Sequence, residues 1–142
     1  MGKINMQKVL VGGLVAGLVL NVIDYLAYGV IFAQTFPMQP GMKGLFGIPI
    51  LPWYIILDFV YGIVLVYLYA AIRPRFGAGP GTAVITALLM WVMIGLLHAL
   101  SESPMATMMG APRQIYTIGT LISLVALPLA ALVGAKFYTE SA

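Results

Sequence analysis

The chain has no cysteine, one histidine and four acidic residues among its 142 positions. Without thiols it can form no disulfide, no thiolate metal site and no cysteine nucleophile. Charged residues make up 8% of the chain, against about a quarter in ordinary soluble domains, so this composition cannot build a solvated globular surface. No HExxH, GxSxG or phosphate-binding glycine loop occurs, and the few Ser, His and Asp residues show no spacing that supports a catalytic triad. An enzyme is therefore not expected. The net charge of +3 is not gathered into the basic patch on a soluble module that nucleic-acid binding requires, so no nucleic-acid partner is expected either.

What the chain has instead is apolar length. Hydrophobic residues make up 62% of it and fall into four runs, 9–33, 51–72, 82–100 and 115–137. Each is close to the roughly 20 residues that cross a hydrocarbon core about 30 Å thick. An isolated span in lipid must satisfy its own backbone, which makes helix the economical form. The expectation is an all-α polytopic membrane protein, a single domain of four transmembrane helices over 1–142 arranged as two antiparallel hairpins. The first run follows Lys3 and Lys8 as a secretory signal would, but it exceeds the 7–15 residues typical of a signal's apolar region. It reads as a retained helix.

Lys3 and Lys8 precede the first run, Arg73 and Arg75 separate the second from the third, and Lys136 closes the fourth. Only Lys43 and Arg113 fall on the other side. Excess cationic residues stay cytoplasmic, so both termini and the "RPRFGAGPG" turn are expected inside. The two outer connections, Gln34–Ile50 and "SESPMATMMGAPRQ", share a Pro, Met and Gly character. Their likeness suggests an internal two-helix repeat. The longer one is apolar enough to pack back on the bundle, near Trp53 and Tyr54.

Polar residues inside the runs are the candidates for function. At 100° per residue, Gly13, Gly17, Asn21, Asp24 and Tyr28 share one stripe of the first helix, and Tyr54, Asp58, Gly62, Leu65 and Tyr69 share one on the second, with Tyr61 beside it. Small residues at these spacings let helices approach closely, so Gly13, Gly17 and Gly62 are expected at a helix contact. Counted at about 1.5 Å per residue, Asp24 lies roughly 13 Å and Asp58 roughly 10 Å below the outer ends of their runs. They are expected to be neighbours, sharing a proton or facing a donor, because a lone charge at that depth costs about 2.5 to 3.5 kcal/mol. Such a pair serves either as hydrogen-bonded glue between helices or as a place where a solute, ion or proton is handled.

His98 is expected about one turn inside the outer end of the third run, on the same side as Trp91 and Glu102. Arg113, Thr117 and Thr120 line up at the outer end of the fourth. The candidate polar site is thus Asn21, Asp24, Asp58, Tyr61, His98 and Arg113, open outward and floored by the aspartates. One histidine supplies one coordination bond, so no metal and no cofactor is expected.

The segments "VLVGGLVAGLVLNVIDYLAYGVIFA" and "LDFVYGIVLVYLYAAIRPRFGAGPGTAV" resemble those of small bacterial four-helix integral membrane proteins of unknown function, chiefly through Asn21, Asp24, Asp58, Gly62 and the Tyr69 to Pro80 stretch. The resemblance implies fold and topology, with a bacterial inner membrane as the expected location, and carries no site residue across. The function expected is that of a non-enzymatic accessory or structural membrane component, embedded in the lipid bilayer and assembling as a homo-oligomer or with other membrane subunits. One alternative is a small proton- or cation-coupled transporter or channel acting as a dimer. Another is a subunit of an electron-transfer or photosynthetic complex in which His98 ligates a cofactor.

Overall fold

The computed structural model describes residues 3–36, 41–110 and 113–140. Among these the chain is all-helical with no strand, and four helices are long and apolar enough to cross a membrane. We name them α1 (Met6–Ile31), α2 (Ile50–Phe76), α3 (Pro80–Met108) and α4 (Arg113–Ala135).

The helix ends follow from local chemistry. α1 starts where the Asn5 side chain accepts the Lys8 N–H at 3.2 Å, supplying one of the bonds a first turn lacks. α2 runs a turn past the expected end at Ile72. Pro74 falls in its last turn, where the missing N–H forfeits only one bond. It stops at Gly77, whose φ of 84° favours glycine. α3 opens with Pro80 in its first turn, where no intrahelical donor is needed. Thr82 fastens the α2–α3 turn by donating to the Gly77 carbonyl at 2.7 Å.

The largest departure from expectation is at the far end of α3. Most of "SESPMATMMGAPRQ" is helix, not loop, up to Met108, with Pro104 enclosed. Gly110, with φ 85°, is the first residue there suited to ending it. The long connection does fold back: Gly44 lies so close under the Trp53 ring that a side chain has no room, and Phe36 meets Tyr28 edge-on at 4.9 Å between centroids.

Two helices are not uniform. From Tyr25 to Ile31, α1 widens to i→i+5 bonding, ending with the Phe32 N–H on the Ala27 carbonyl at 2.7 Å. α3 does the same over Val92–Leu96. Each widening turns the residues beyond it onto a new face.

Packing is strongest between α1 and α2, and α4 lies against both α1 and α3. The contacts Gly13–Ile63, Gly17–Phe59 and Asn21–Ile55 run in opposite numerical order, so α1 and α2 are antiparallel. A methyl group on Gly62 would fall on the Gly13 carbonyl and the Gly17 amide, and one on Gly12 would lie 2.6 Å from the Gly134 carbonyl oxygen. Together with Ala16, Ala83, Ala87, Ala130 and Ala131, all buried, these glycines make a core of small residues in which backbones nearly touch.

That core occupies the half of the bundle nearest Arg73, here called the basic end. It is closed by Tyr138, 4% exposed, whose hydroxyl accepts the Asn5 N–H at 3.4 Å. The Tyr138 ring stands edge-on to Tyr69 at 6.0 Å and under the Arg73 guanidinium at 5.5 Å. At the opposite, loop end the helices are less enclosed: no residue from Val92 to Met108 is buried.

Because Gly62 meets backbone rather than a movable side chain, Gly62→Ala must push α1 and α2 apart. We expect a loss of about 1–3 kcal/mol, the usual cost of overpacking, read as a lower unfolding midpoint in detergent. Gly81→Ala, which faces open space, should shift it by less than about 0.5 kcal/mol.

Candidate functional site

Asp24 is the last residue of the regular part of α1, and Asp58 sits two turns into α2. Helical side chains lean toward their own N-terminus. In antiparallel neighbours the leans converge: Asp24 reaches toward the basic end, Asp58 toward the loop end, and the two carboxyls are in hydrogen-bonding contact. Two carboxylates offer only acceptors, so a direct bond between them requires a proton on one. Asp58 is 7% exposed and Asp24 half-buried.

The close approach of the helices is what lets this contact form. A Cβ on Gly17 would lie 2.7 Å from Phe59 Cα and 3.0 Å from the Asp58 carbonyl oxygen. Nearby, the Asn21 amide donates to the Gly17 carbonyl at 2.9 Å and across the seam to the Ile55 carbonyl at 3.4 Å. Asn21 thus spends its donor group on backbone, binding α1 to α2.

Tyrosines complete the cluster. Tyr28 lies near Asp24, Asp58 and Tyr54, and Tyr61 near Asp58 and Tyr54. The widened stretch of α1 also brings the Tyr28 hydroxyl near Gly119 of α4, 3.4 Å from where a Cβ would stand. The sequence put Tyr54 on the stripe of Asp58 but left it out of the candidate site. Its position four residues before Asp58, on the same stripe, is the signal that places it in the cluster.

The structure therefore brings together Asn21, Asp24, Asp58 and Tyr61, adding Tyr28 and Tyr54. His98 is not among them. Its side chain is exposed on α3, although Trp91, seven residues earlier, turns inward and donates to the Thr120 carbonyl at 2.9 Å. The intervening Val92–Leu96 stretch breaks the regular 100° step, so the side shared by Trp91 and His98 in projection is not shared in space. Arg113 begins α4, and its side chain lies outside the described residues. Thr120 turns back to the Tyr116 carbonyl at 2.7 Å.

The aspartates line neither of two open grooves. One, about 390 Å³ between α1 and α4, is walled by Ile23, Ala27, Ile122 and other apolar residues. The other, about 410 Å³ between α3 and α4, is lined by Trp91, Ser103, Tyr116 and Thr120 among others. Among the described residues, no three His, Asp or Glu side chains come together as a metal-binding group. The chemistry available is a shared proton, with phenol hydroxyls close by as donors.

No family model, no curated protein and no solved structure matches the chain. The resemblance drawn from its sequence rests on the residues named for it, and what stands is the apolar four-helix architecture.

The contact predicts a pattern of stabilities. Asp58→Asn keeps a donor for Asp24 and should cost little. Asp58→Leu strands Asp24 without its partner and should cost about 1–3 kcal/mol, while Asp24→Leu with Asp58→Leu should cost less than the two singles summed. Unfolding midpoints of the four variants in one detergent measure this. Additive costs would mean that the carboxyls do not act as a pair.

Proposed function

We propose that the protein is a non-enzymatic component of the cytoplasmic membrane that assembles with itself or with other membrane subunits. Its helices form two antiparallel hairpins with both termini on the cytoplasmic side. The orientation is supported by the cationic residues: Lys8, Arg73, Arg75 and Lys136 belong to the basic end, and Lys43 lies in the long connection at the other.

One observation carries the reading. The Asp24–Asp58 contact sits on the seam where Gly13, Gly17 and Gly62 press α1 against α2 with no room for an added methyl. Beyond it, toward the basic end, the core consists of Val9, Ala16, Leu65, Val66 and Ala70. A proton or cation leaving the acids in that direction meets packed hydrocarbon, so the pair serves as a joint between helices. Interhelical hydrogen bonds of this kind hold membrane bundles together.

The transport reading keeps one supporting observation. Asp24 lies where α1 changes to i→i+5 bonding, and such turns often accompany functional sites. Vesicles reconstituted with the protein and loaded with a pH-sensitive dye separate the two. Under imposed proton, sodium or potassium gradients, wild-type and Asp24→Asn vesicles should leak at the same rate, while purification in mild detergent should keep the protein in an assembly. Aspartate-dependent flux would overturn the component reading in favour of transport.

A further inference from the structure

Among the described residues, Phe46 is the one residue other than glycine with a positive φ, at φ 62° and ψ 17°. A Cβ makes that backbone unfavourable, and it persists where its surroundings repay it. Gly41 and Gly47, in the same connection, take positive φ without that cost. Position 46 nevertheless carries a large aromatic, and the fold leaves it 86% exposed.

The turn that presents it is held in place. The Gly44 N–H donates to the Ile48 carbonyl at 2.8 Å and the Ile50 N–H to the Met42 carbonyl at 3.1 Å. Gly44 is pressed under the Trp53 ring with no room for a side chain. These contacts tie residues 42–48 to the first turn of α2, and the outward position of Phe46 follows from them.

Depth says what surrounds it. Counted at about 1.5 Å per residue, a hydrocarbon core about 30 Å thick takes about 20 residues. With the edge at the basic end set at Arg73, the other edge falls at Trp53 of α2; set at Lys8, it falls at Tyr28 of α1. The two counts agree, because Asp24 and Asp58, in contact across the seam, lie four and five residues inside Tyr28 and Trp53. The connection does not rise away from this level: Gly44 returns to Trp53 and Phe36 to Tyr28. Phe46, two residues from Gly44, is therefore level with the zone where acyl chains meet headgroups and where aromatic side chains gather. Lys43, exposed in the same turn, puts a cation at the level of lipid phosphate.

We propose that residues 42–47 form an anchor seated in the lipid at the loop end, with the Phe46 ring among the upper acyl chains and the Lys43 ammonium on lipid phosphate. Lipid fits this pairing of an apolar ring with a neighbouring cation, since one molecule supplies both acyl carbon and an anionic phosphate at adjacent depths. Because the turn is hydrogen-bonded to the start of α2, the anchor holds that helix, and Asp58 with it, at a fixed depth. The proposal stands on the four membrane spans and not on what the acid pair does.

The absence of native cysteine allows one label per chain. Phe46→Cys and, as a mid-span reference, the lipid-facing Val60→Cys are labelled with nitrobenzoxadiazole and reconstituted in vesicles of phosphatidylcholine and phosphatidylglycerol. At position 46, lipid spin-labelled near the top of the acyl chain should quench more than lipid labelled near its middle, and iodide in the water should quench little. At position 60 the order of the two lipid quenchers should reverse. Lys43→Glu should move the position 46 label toward water, read as a red shift of its emission and a gain of iodide quenching. Strong iodide quenching at position 46 without that second change would overturn the anchor. So would weak quenching by iodide and by both lipids, which would mean that another protein surface, such as a second copy, covers the turn. Emission unchanged by Lys43→Glu would overturn the phosphate contact of Lys43.

Discussion

The contact of two backbones across α1 and α2 is the constraint on which the rest of the structure depends. Helices normally meet through side chains at axis separations of about 8–10 Å. Here Gly62 sits against the carbonyl of Gly13 and the amide of Gly17, and the shorter separation has two results. It puts the short side chains of Asp24 and Asp58 within reach of each other, which longer-armed acids on separated helices would not need. It also closes the path beneath them, since a seam too tight for a methyl is too tight for a solute. The feature that creates the polar pair is thus the same one that argues against its being a conduit.

Most of this geometry was legible in the sequence where residues obey a regular step. The four spans follow from composition and length, and the stripe Gly13, Gly17, Asn21, Asp24 follows from a 100° rotation carried over a regular stretch of α1. Legibility fails where the step changes. His98 was projected onto the side of Trp91 across Val92–Leu96, and i→i+5 bonding there rotates it away. No pattern in "VMIGL" announces that widening. The outer part of α3 was read as loop from its Ser, Pro and Gly content. Yet Pro104 within a helix costs only local bonds, while the turn needs the positive φ that Gly110 supplies. Tyr54 was placed on the Asp58 stripe but not in the candidate site for a different reason: a tyrosine near a helix end looks the same whether it anchors at the interface or faces an acid.

The two halves of the bundle divide the work of specifying the fold. Toward Arg73, small residues and a buried tyrosine leave little freedom, and van der Waals contact supplies the cohesion that water cannot supply in lipid. Toward the long connection, widened helical turns and polar side chains replace close packing. A polar pair there favours one register of the helices, because a shifted alignment would separate the two acids.

The Tyr138 closure bears on how the protein is made. The Asn5 N–H and the Tyr138 hydroxyl are separated by 133 positions in the chain, and Gly12 waits on Gly134 across a similar gap. During synthesis α1 and α2 are available to pair early, whereas the other flank of α1 stays uncovered until α4 has been threaded into the bilayer. Through that interval the glycine-lined flank is open to any passing helix, so the speed with which α4 follows governs how often the nascent chain joins the wrong neighbour.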